Sequence, residues 1–406
     1  MKIGKEFSMK KGHRIMILLL LISLTCGILL TTNLKDLRKI QNLEGQCDQF
    51  KVSEAINEVA WNITWGGAGD EHGIGLALDT VGDLYCVGDT FSFGAGGQDL
   101  ALVKFAPNGS RLWNTTWGGA ANDWGYQVAI DTAGDLYCVG GTYSFGAGSS
   151  DLALVKFAPN GSRLWNTTWG GAADDSGYEI ALDTAGDLYC VGLTYSFGAA
   201  GKNLALVKFA PNGSRLWNTT WGGAEQMGFG MALDTADNIY CVGSAAQDLA
   251  LVKFAPNGSR LWNTTWGGAA NDWGYGVVLD TAGNIYCVGW TGSFGVGGQD
   301  LALVKFAPNG FRLWNTTWGG AGNDGSSEVV LDTAGNIYIA ATTQSFGAGG
   351  SDLVLVKFSK AELPSGIPGF GLSLLFLVLI VISIIKIFDK STIPKKNKFL
   401  NLILNQ

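Results

Sequence analysis

The sequence predicts an all-β fold in which one unit of four antiparallel strands is repeated six times around a closed ring. The string Thr-Trp-Gly-Gly recurs at spacings of 52, 52, 52, 45 and 52 residues, and its tryptophans are Trp65, Trp117, Trp169, Trp221, Trp266 and Trp318. Self-similarity at such a period indicates a repeat architecture. Glycine makes up 60 of 406 residues and charged residues only 15%, which suits tight turns between apolar strands and argues against disorder. Four strands in about 50 residues is the size of one propeller blade, so the sequence predicts a six-bladed β-propeller.

Each unit is predicted to contain four short strands, labelled A to D. In the second unit these segments run from Tyr126 to Asp131, Asp135 to Val139, Asp151 to Phe157 and Ser162 to Trp169, and all are rich in β-branched or aromatic residues. Pro-Asn-Gly separates strands C and D, and Asn-Gly between two apolar runs is a strong hairpin signal. The unit therefore predicts an antiparallel sheet with short turns.

The two ends of the array predict how the ring closes. The chain enters the repeats with a lone D strand, Trp61 to Trp65, and leaves them with a C strand, Asp352 to Phe358. A ring leaves only short, protected sheet edges, whereas a solenoid exposes both of its ends. We therefore expect the first strand to pair with the last one and to complete the sixth blade.

The repeats form the central segment of a longer organisation. Residues 1–33 are a basic segment with a signal anchor, 34–60 an extracellular stalk, 359–369 a linker, 370–388 a transmembrane helix and 389–406 a basic tail. The propeller covers 61–358, with units at 61–112, 113–164, 165–216, 217–261, 262–313 and 314–358. The sequence thus predicts one external domain framed by two membrane segments.

Two apolar runs carry the membrane prediction. Ile15 to Leu30 is nearly unbroken and follows a basic amino-terminal segment, which is typical of a cleaved signal sequence or of an uncleaved anchor. We favour the anchor because no small-x-small cleavage pattern follows Leu30. Phe370 to Phe388 contains Lys386 as its only charge, and its 19 residues approach the roughly 20 that span a bilayer.

Charge places both ends of the chain on the cytoplasmic side. Basic residues precede the first apolar run and follow the second, which predicts cytoplasmic termini and an extracellular propeller held at the cell membrane. Residues 61–358 contain 26 acids and 12 bases, a net charge of −14 in a chain whose total is −7. Because an acidic domain binds nucleic acid poorly, the expected partners are the membrane and a surface glycan or protein, and not nucleic acid.

The repeat resembles a known family. Three stretches of the second unit carry the likeness: Trp113-Asn-Thr-Thr-Trp-Gly-Gly-Ala, Ala129-Ile-Asp-Thr-Ala-Gly-Asp-Leu-Tyr and Val139-Gly-Gly-Thr. They look like the prokaryotic β-propeller repeat family, usually described as seven-bladed, and the likeness covers Trp61 to about Phe358. The resemblance implies a surface-exposed propeller and brings no catalytic residues with it. This chain departs from the pattern by having six units.

A second resemblance concerns the carboxy-terminal end. Pro368-Gly369-Phe370, just before the second apolar run, is similar to the archaeal sorting signal read by archaeosortases. That likeness implies an archaeal surface protein with a processed tail. The tail continues to Gln406, past the basic cluster near which such signals end, so processing and retention both stay open.

The repeats contain few side chains suited to catalysis or metal binding. One cysteine occupies the same B-strand position in five units, and Ile339 replaces it in the sixth, which indicates packing rather than a metal or redox role. His72 is the only histidine of the repeats, and no Gly-x-Ser-x-Gly elbow accompanies it. An aspartate ends strand A in every unit, and without calcium-loop spacing around it the sequence favours an Asx turn. We therefore expect no enzyme, no metal and no cofactor.

The loops that differ most between copies predict a binding face. The D-to-A and B-to-C loops vary while the strands are nearly constant, and in a propeller both loop sets lie around the mouth of the central channel. They supply acids beside aromatic rings, which suits sugars, cationic peptides or a bound cation. The candidate ligand-binding residues are Asp123, Trp124, Asp174, Asp175, Asp272, Trp273, Phe93, Phe145 and Phe197.

Three functions stay open at this point. The preferred one is a non-catalytic binding or structural module that recognises glycans, peptides or envelope partners through the loop face. The second is a surface-layer or adhesion scaffold without a specific ligand, self-associating through the stalk, where four apolar residues from Leu34 to Leu43 have near-helical spacing. The third, a propeller glycosidase or lyase, needs paired carboxylates, for which Asp123 with Asp174 or Asp175 are candidates.

Asn-Gly-Ser begins four of the hairpins on the opposite face. Outside the cell such asparagines can accept glycans, although the Asn-Gly turn requires them in any case. The candidate glycosylation sites are Asn108, Asn160, Asn212 and Asn257.

Overall fold

A computed structural model describes residues 62–223, 226–347 and 349–359. These residues form an all-β, six-bladed propeller. Trp61 and the predicted anchor, stalk, carboxy-terminal membrane segment, sorting-like motif and tail lie outside the described residues. Within the ranges described, no helix has the length and apolar character that crossing a bilayer requires.

The described residues contain 23 strands. Blade 1 comprises β1 (Glu71–Leu78), β2 (Leu84–Thr90), β3 (Asp99–Phe105) and β4 (Arg111–Trp117). Blade 2 comprises β5 (Asp123–Ile130), β6 (Leu136–Thr142), β7 (Asp151–Phe157) and β8 (Arg163–Trp169). Blade 3 comprises β9 (Asp175–Leu182), β10 (Leu188–Thr194), β11 (Asn203–Phe209) and β12 (Arg215–Trp221).

The remaining strands repeat the same order. Blade 4 comprises β13 (Gln226–Leu233), β14 (Ile239–Ala245), β15 (Asp248–Phe254) and β16 (Arg260–Trp266). Blade 5 comprises β17 (Asp272–Leu279), β18 (Ile285–Thr291), β19 (Asp300–Phe306) and β20 (Arg312–Trp318). Blade 6 comprises β21 (Asp324–Leu331), β22 (Ile337–Thr343) and β23 (Asp352–Phe358).

Every sheet is an antiparallel meander in which neighbours in sequence are neighbours in space. The A strands of successive blades also pack against one another, in the series β1, β5, β9, β13, β17 and β21. They are therefore the strands nearest the central channel, and the D strands form the outer edges of the blades.

The hydrophobic core is divided among the junctions between successive blades. At the first junction, Leu100 and Leu102 of β3 pack against Cys138 of β6 and against Ala153 and Val155 of β7. The same leucine face meets the same small-residue face at the following four junctions. This confirms the packing role predicted for the repeated cysteine. The four cysteines at these junctions are buried free thiols, and burial raises their pKa.

Every A strand carries a β-bulge. Its pairing with strand B shifts by one residue after the same position in each strand, between Gly125 and Gln127 in β5 and at the equivalent place in the other five blades. The extra residues are Ile74, Tyr126, Tyr178, Phe229, Tyr275 and Ser327. Because a bulge re-aims a side chain and increases the local twist, these six positions form a distinct set along the channel.

The hairpins between strands A and B and between strands C and D lie on the face opposite the D-to-A and B-to-C loops, and some of them contact the neighbouring blade. Asp131 accepts hydrogen bonds from the amides of Ala133 and Asp135, both at 2.9 Å, which confirms the predicted Asx turn. The Trp113 indole of β4 donates to the carbonyl of Pro159 in the next blade at 3.2 Å. The nearly invariant hairpin sequence is therefore part of an inter-blade contact.

The predicted closing strand pair is not formed, and this corrects the expectation of six four-stranded blades. The sixth sheet has three strands, and residues 62–66 adopt no strand. Ile63, Thr64 and Trp65 instead line a cavity of about 370 Å³ together with Cys86 and Val103 of blade 1. The segment therefore lies beside the apolar face of blade 1 and is not paired with β23.

Candidate functional site

The D-to-A and B-to-C loops meet on one face. The Tyr143 amide donates to the Asn122 carbonyl at 2.9 Å, and the Ala121 amide donates to the Ser144 hydroxyl at 3.0 Å. Equivalent pairs of hydrogen bonds recur in blades 3, 5 and 6. The two loop sets are thus tied together, and the face is largely preformed.

Three of the candidate acids do not face solvent. Strand A begins at Asp123, Asp175 and Asp272, three residues earlier than predicted, and these side chains are fully buried at the blade junctions. Asp123 accepts a hydrogen bond from the Thr142 hydroxyl and another, at 2.7 Å, from the Ser144 hydroxyl. The sequence pattern places the start of strand A three residues too late. It therefore assigns these three buried strand residues to the preceding loop.

Each of these buried acids faces a second carboxylate. Asp99, the first residue of β3, lies on the other side of Gly118 from Asp123, and a Cβ on that glycine would collide with both side chains. Burial, reinforced by the charge of Asp123, raises the pKa of Asp99. At the junction of blades 3 and 4, Asn203 and Gln226 replace both acids together. The two positions therefore form one structural unit of the junction.

Asp174 joins two loops of the face. It is half-buried and accepts hydrogen bonds from the amide and the hydroxyl of Ser150, at 3.1 and 3.2 Å. Hydrogen bonds from Ser149 and Ser150 hold its pKa below the usual value. Asn122 and Asn323 occupy the same position in other blades and accept an equivalent bond, so the carboxylate is not required for this contact.

The three candidate phenylalanines cover the tops of the junctions. Phe93, Phe145 and Phe197 each stack on the tryptophan of a Thr-Trp-Gly-Gly string, with ring centroids 5.2, 5.2 and 5.0 Å apart. Their exposed fractions are 42, 42 and 38%. Part of each ring is thus used for packing, and the rest belongs to the loop face.

The bulge residues of four successive blades form a run of aromatic rings along the channel mouth. The ring centroids of Tyr126 and Tyr178 are 5.0 Å apart, those of Tyr178 and Phe229 5.5 Å, and those of Phe229 and Tyr275 4.8 Å. All four side chains are half-buried. The blades therefore present a continuous, partly exposed aromatic surface rather than isolated rings.

Trp124 and Trp273 extend this surface. Trp124 lies 6.4 Å from Tyr126, and Trp273 lies 6.2 Å from Phe229, between ring centroids. The six rings are called the aromatic arc: Trp124, Tyr126, Tyr178, Phe229, Trp273 and Tyr275. Sequence reasoning found the two tryptophans and missed the four bulge residues, although an aromatic residue three or four positions after a loop acid was a signal in four units.

Polar groups line the channel beside the aromatic arc. Gln127 donates to Glu179 at 3.4 Å, and burial together with the charge of Glu328 raises the pKa of Glu179 to about 8. The surrounding protein also raises the pKa of Glu328 by partly desolvating its carboxylate. The residue is nevertheless open to the channel. Across the described ranges, no three His, Cys, Asp or Glu side chains are grouped as a metal ion would require.

The candidate glycosylation asparagines lie exposed at the hairpin tips. Asn160 is representative: its side-chain oxygen accepts hydrogen bonds from the amide and the hydroxyl of Ser162, at 3.0 and 2.7 Å. Asn108, Asn212 and Asn257 are exposed in equivalent Asx turns. The side chains therefore have the turn role expected of them and remain accessible.

Fold, repeat and site together define a β-propeller repeat protein. Residues 265–295 match the beta-propeller repeat (SBBP). Residues 138–163 match a beta-propeller domain of unknown function (DUF5122). No curated protein matches the chain.

Several solved structures resemble this chain at low sequence identity. A putative 6-phosphogluconolactonase from Bacteroides uniformis is 11% identical with a TM-score of 0.44, over 69% of this chain and 83% of that one. A protein from Lactobacillus plantarum is 13% identical with a TM-score of 0.45, over 72% and 86%. The Neurospora crassa Pan2 WD40 domain is 10% identical with a TM-score of 0.44, over 67% and 75%. With TM-scores below 0.5, these likenesses carry no further argument.

Proposed function

We propose that this chain is a cell-surface β-propeller, anchored in the membrane at both ends, whose loop face binds a surface glycan, a peptide or an envelope partner. The observation that carries the proposal is the aromatic arc. Partly exposed rings at a channel mouth offer apolar stacking area, and neighbouring polar groups can orient a ligand. Membrane anchoring is supported by the apolar runs Ile15 to Leu30 and Phe370 to Phe388, with their basic flanks.

The proposed role is non-catalytic. A glycosidase or lyase would need paired carboxylates that reach the substrate. Of the candidates, Asp123 and Asp175 are buried and hydrogen-bonded within the blade junctions, and Asp174 is engaged by Ser150. The enzymatic alternative therefore lacks support from the residues that suggested it.

The proposal is tested by binding of the purified full-length chain to an array of glycans and peptides, with and without calcium. Trp124→Ala and Trp273→Ala are expected to weaken binding by about tenfold, because each removes a stacking surface. Phe311→Ala is the matched control, since it removes an exposed ring from a hairpin on the opposite face. Unchanged binding by both tryptophan variants would exclude the aromatic arc as the binding surface.

A second function, an architectural surface-layer or adhesion component, is favoured by the exposed hairpin asparagines on the opposite face. Glycans on Asn108, Asn160, Asn212 and Asn257 would cover that face and leave the stalk to mediate self-association. Cross-linking on intact cells should then trap multimers, and mass spectrometry should find modified hairpin peptides. Monomers alone after cross-linking would count against the scaffold.

A further inference from the structure

A cavity of about 370 Å³ lies between blades 5 and 6. Tyr275 and Trp290 of blade 5 form one side, and residues of β21 and β22, including Ser326 and Ser327, form the other. Loop residues Gln299, Asn323, Gln344 and Ser351 complete the lining and place the cavity on the loop face. The volume is near the lower end of the roughly 300–1,000 Å³ typical of small-ligand sites.

The cavity exists because the repeat changes at this junction. The bulge position is aromatic in blades 2 to 5, whereas blade 6 has Ser327. Two residues earlier, Gly325 replaces the tryptophan found in blades 2 and 5. The run of rings therefore stops at Tyr275, and the space that the next ring would fill stays open.

Blade 5 contributes a ring that no other blade has at that position. Trp290 pairs across the sheet with Trp273, where blade 2 pairs Trp124 with Gly141. The Trp290 indole stacks on Trp273 with ring centroids 5.4 Å apart and donates to the Tyr275 hydroxyl at 3.4 Å. These contacts fix the orientation of the aromatic side of the cavity.

The polar side of the cavity is also held in place. The side-chain amide of Gln344 donates to the Ser351 hydroxyl at 3.0 Å, and the side-chain oxygen of Asn323 accepts from the backbone N–H of Gln299 at 3.0 Å. A site whose groups are already ordered loses less conformational entropy when a ligand binds. Asn323, Gln344 and Ser351 are all part of the cavity lining.

The lining is neutral in its exposed chemistry. Asp324 is the only carboxylate among the lining residues, which include no Lys, Arg or His. It is buried and accepts hydrogen bonds from the hydroxyls of Thr343 and Ser345. A charged ligand would lose its hydration on entering the cavity and would find no opposite charge there, which costs free energy. A ligand with many hydroxyls and an apolar ring face would instead stack on Trp290 and Tyr275 and hydrogen-bond to the amides and hydroxyls.

We propose that the cavity between blades 5 and 6 binds a neutral mono- or disaccharide unit. The proposal rests on the proposed binding role of the loop face and names the ligand class for one part of it. A peptide is the less suitable occupant, because the wall presents side-chain amides and hydroxyls rather than a free sheet edge that could pair with an extended backbone.

The test is titration of the purified full-length chain with a panel of neutral methyl glycosides and disaccharides. Tryptophan fluorescence and calorimetry measure the binding. At least one sugar should bind and change the tryptophan emission. Ser327→Tyr restores the aromatic residue of the repeat and fills the cavity, so binding should fall at least about tenfold. Trp290→Gly introduces the residue that blade 2 has at this position, Gly141. It removes the stacking ring and should have the same effect. Phe311→Ala, on the opposite face, should bind as the parent does.

Several outcomes would overturn the saccharide site. The first is that no sugar binds at about 10 mM. The second is that both Ser327→Tyr and Trp290→Gly still bind the sugar as the parent does. The third is that the same cavity binds peptides instead of sugars. Thermal unfolding checks that each variant is folded, and Gln344→Ala replaces a variant that is not. If sugar binding responds to Trp124→Ala and not to Ser327→Tyr, the aromatic arc is the site and the cavity proposal fails. The reverse pattern supports the cavity and counts against the arc.

Discussion

The junctions between successive blades and the seam between blades 6 and 1 contain equivalent residues in different surroundings. At the junction of blades 3 and 4, Leu204 and Leu206 of β11 are buried against blade 4. The equivalent residues of β23, Leu353 and Leu355, are 85% and 62% exposed. Among the described residues, the strands of blades 1 and 6 do not pack together as those of successive blades do. The same strand sequence is therefore core or surface according to whether a neighbouring blade covers it.

The two faces at the seam are complementary halves of one repeated interface. Blade 6 presents the leucine face of strand C, and blade 1 presents the face that carries Cys86, Ala101 and Val103, part of which is covered by Ile63 and Trp65. Contact between these faces would bury apolar surface worth roughly 25 cal/mol per Å². Paired substitutions at equivalent sites can therefore measure how open the seam is in solution.

Truncation of equivalent leucines should give the largest contrast. Leu206→Ala is expected to lower the free energy of unfolding by about 2–5 kcal/mol, because it leaves a cavity in a closed junction. Leu355→Ala should change it by less than about 0.5 kcal/mol, because the side chain is mostly exposed. Urea denaturation of both variants measures the difference. Equal losses would mean that the seam is sealed in solution.

Adding a methyl group at equivalent glycines should give the next largest contrast. A Cβ on Gly125 would approach side-chain atoms of Val87 and Leu100 at 2.6 and 3.0 Å, whereas a Cβ on Gly73, at the seam, meets nothing within 4 Å. Gly125→Ala should therefore cost about 1–3 kcal/mol through overpacking. Gly73→Ala should be neutral or slightly stabilising, since alanine has less freedom than glycine in the unfolded chain. A similar loss in both, measured by thermal unfolding, would contradict the open seam.

Thiol labelling should separate the seam from the junctions without altering the sequence. Cys86 is half-buried, while Cys138, Cys190, Cys241 and Cys287 are buried. Among these five thiols, a thiol-specific reagent under native conditions should modify Cys86 first, because it is the most accessible and only an accessible thiolate reacts. Burial raises the pKa of all five thiols. Peptide mass mapping at successive times gives the order. Protection of Cys86 equal to that of Cys138 would indicate a covered seam.

The pH dependence of stability should separate blade 3 from blade 6. The folded protein holds the Glu179 proton with a pKa of about 8 against an ordinary 4.5, so the free energy of unfolding falls as pH rises from about 4.5 to about 8. Glu179→Gln should remove that fall. Glu328→Gln should shift the fall due to Glu179 to lower pH, because it removes a neighbouring charge. It should also remove the fall due to Glu328 itself, whose pKa is raised by burial. Urea titrations across this range check both, and three identical pH profiles would contradict the assignment.

The regular part of the fold could be predicted from the sequence because the same pattern of strands and turns recurs in six units. The TWGG period gave six units, and the change from cysteine to Ile339 identified an apolar position. The strand start at Asp123 was placed three residues late, because the segment from Asn122 to Gly125 looks like a polar loop in sequence. That error moved Asp123, Asp175 and Asp272 from the blade junctions to the loop face.

The site was predicted only in part, because it depends on residues from different blades. Trp124 and Trp273 stood out as loop tryptophans, but Tyr126, Tyr178 and Phe229 are 51 or 52 positions apart in the chain and become neighbours only around the channel. The cavity beside Trp290 exists because blade 6 lacks an aromatic residue at the bulge position, where it has Ser327. An absent ring leaves no motif in a sequence.

The sequence by itself determined the strand pattern, the number of blades, the turn chemistry and the apolar face of each sheet, because those follow from local periodicity and its repetition. The tertiary structure decided which acids are buried, how the rings meet along the channel and which leucines stay exposed at the seam. Those properties depend on the neighbour that lies against each residue. Identical repeats cannot specify that neighbour, because an inner blade has a blade on each side whereas blades 1 and 6 each have one on a single side.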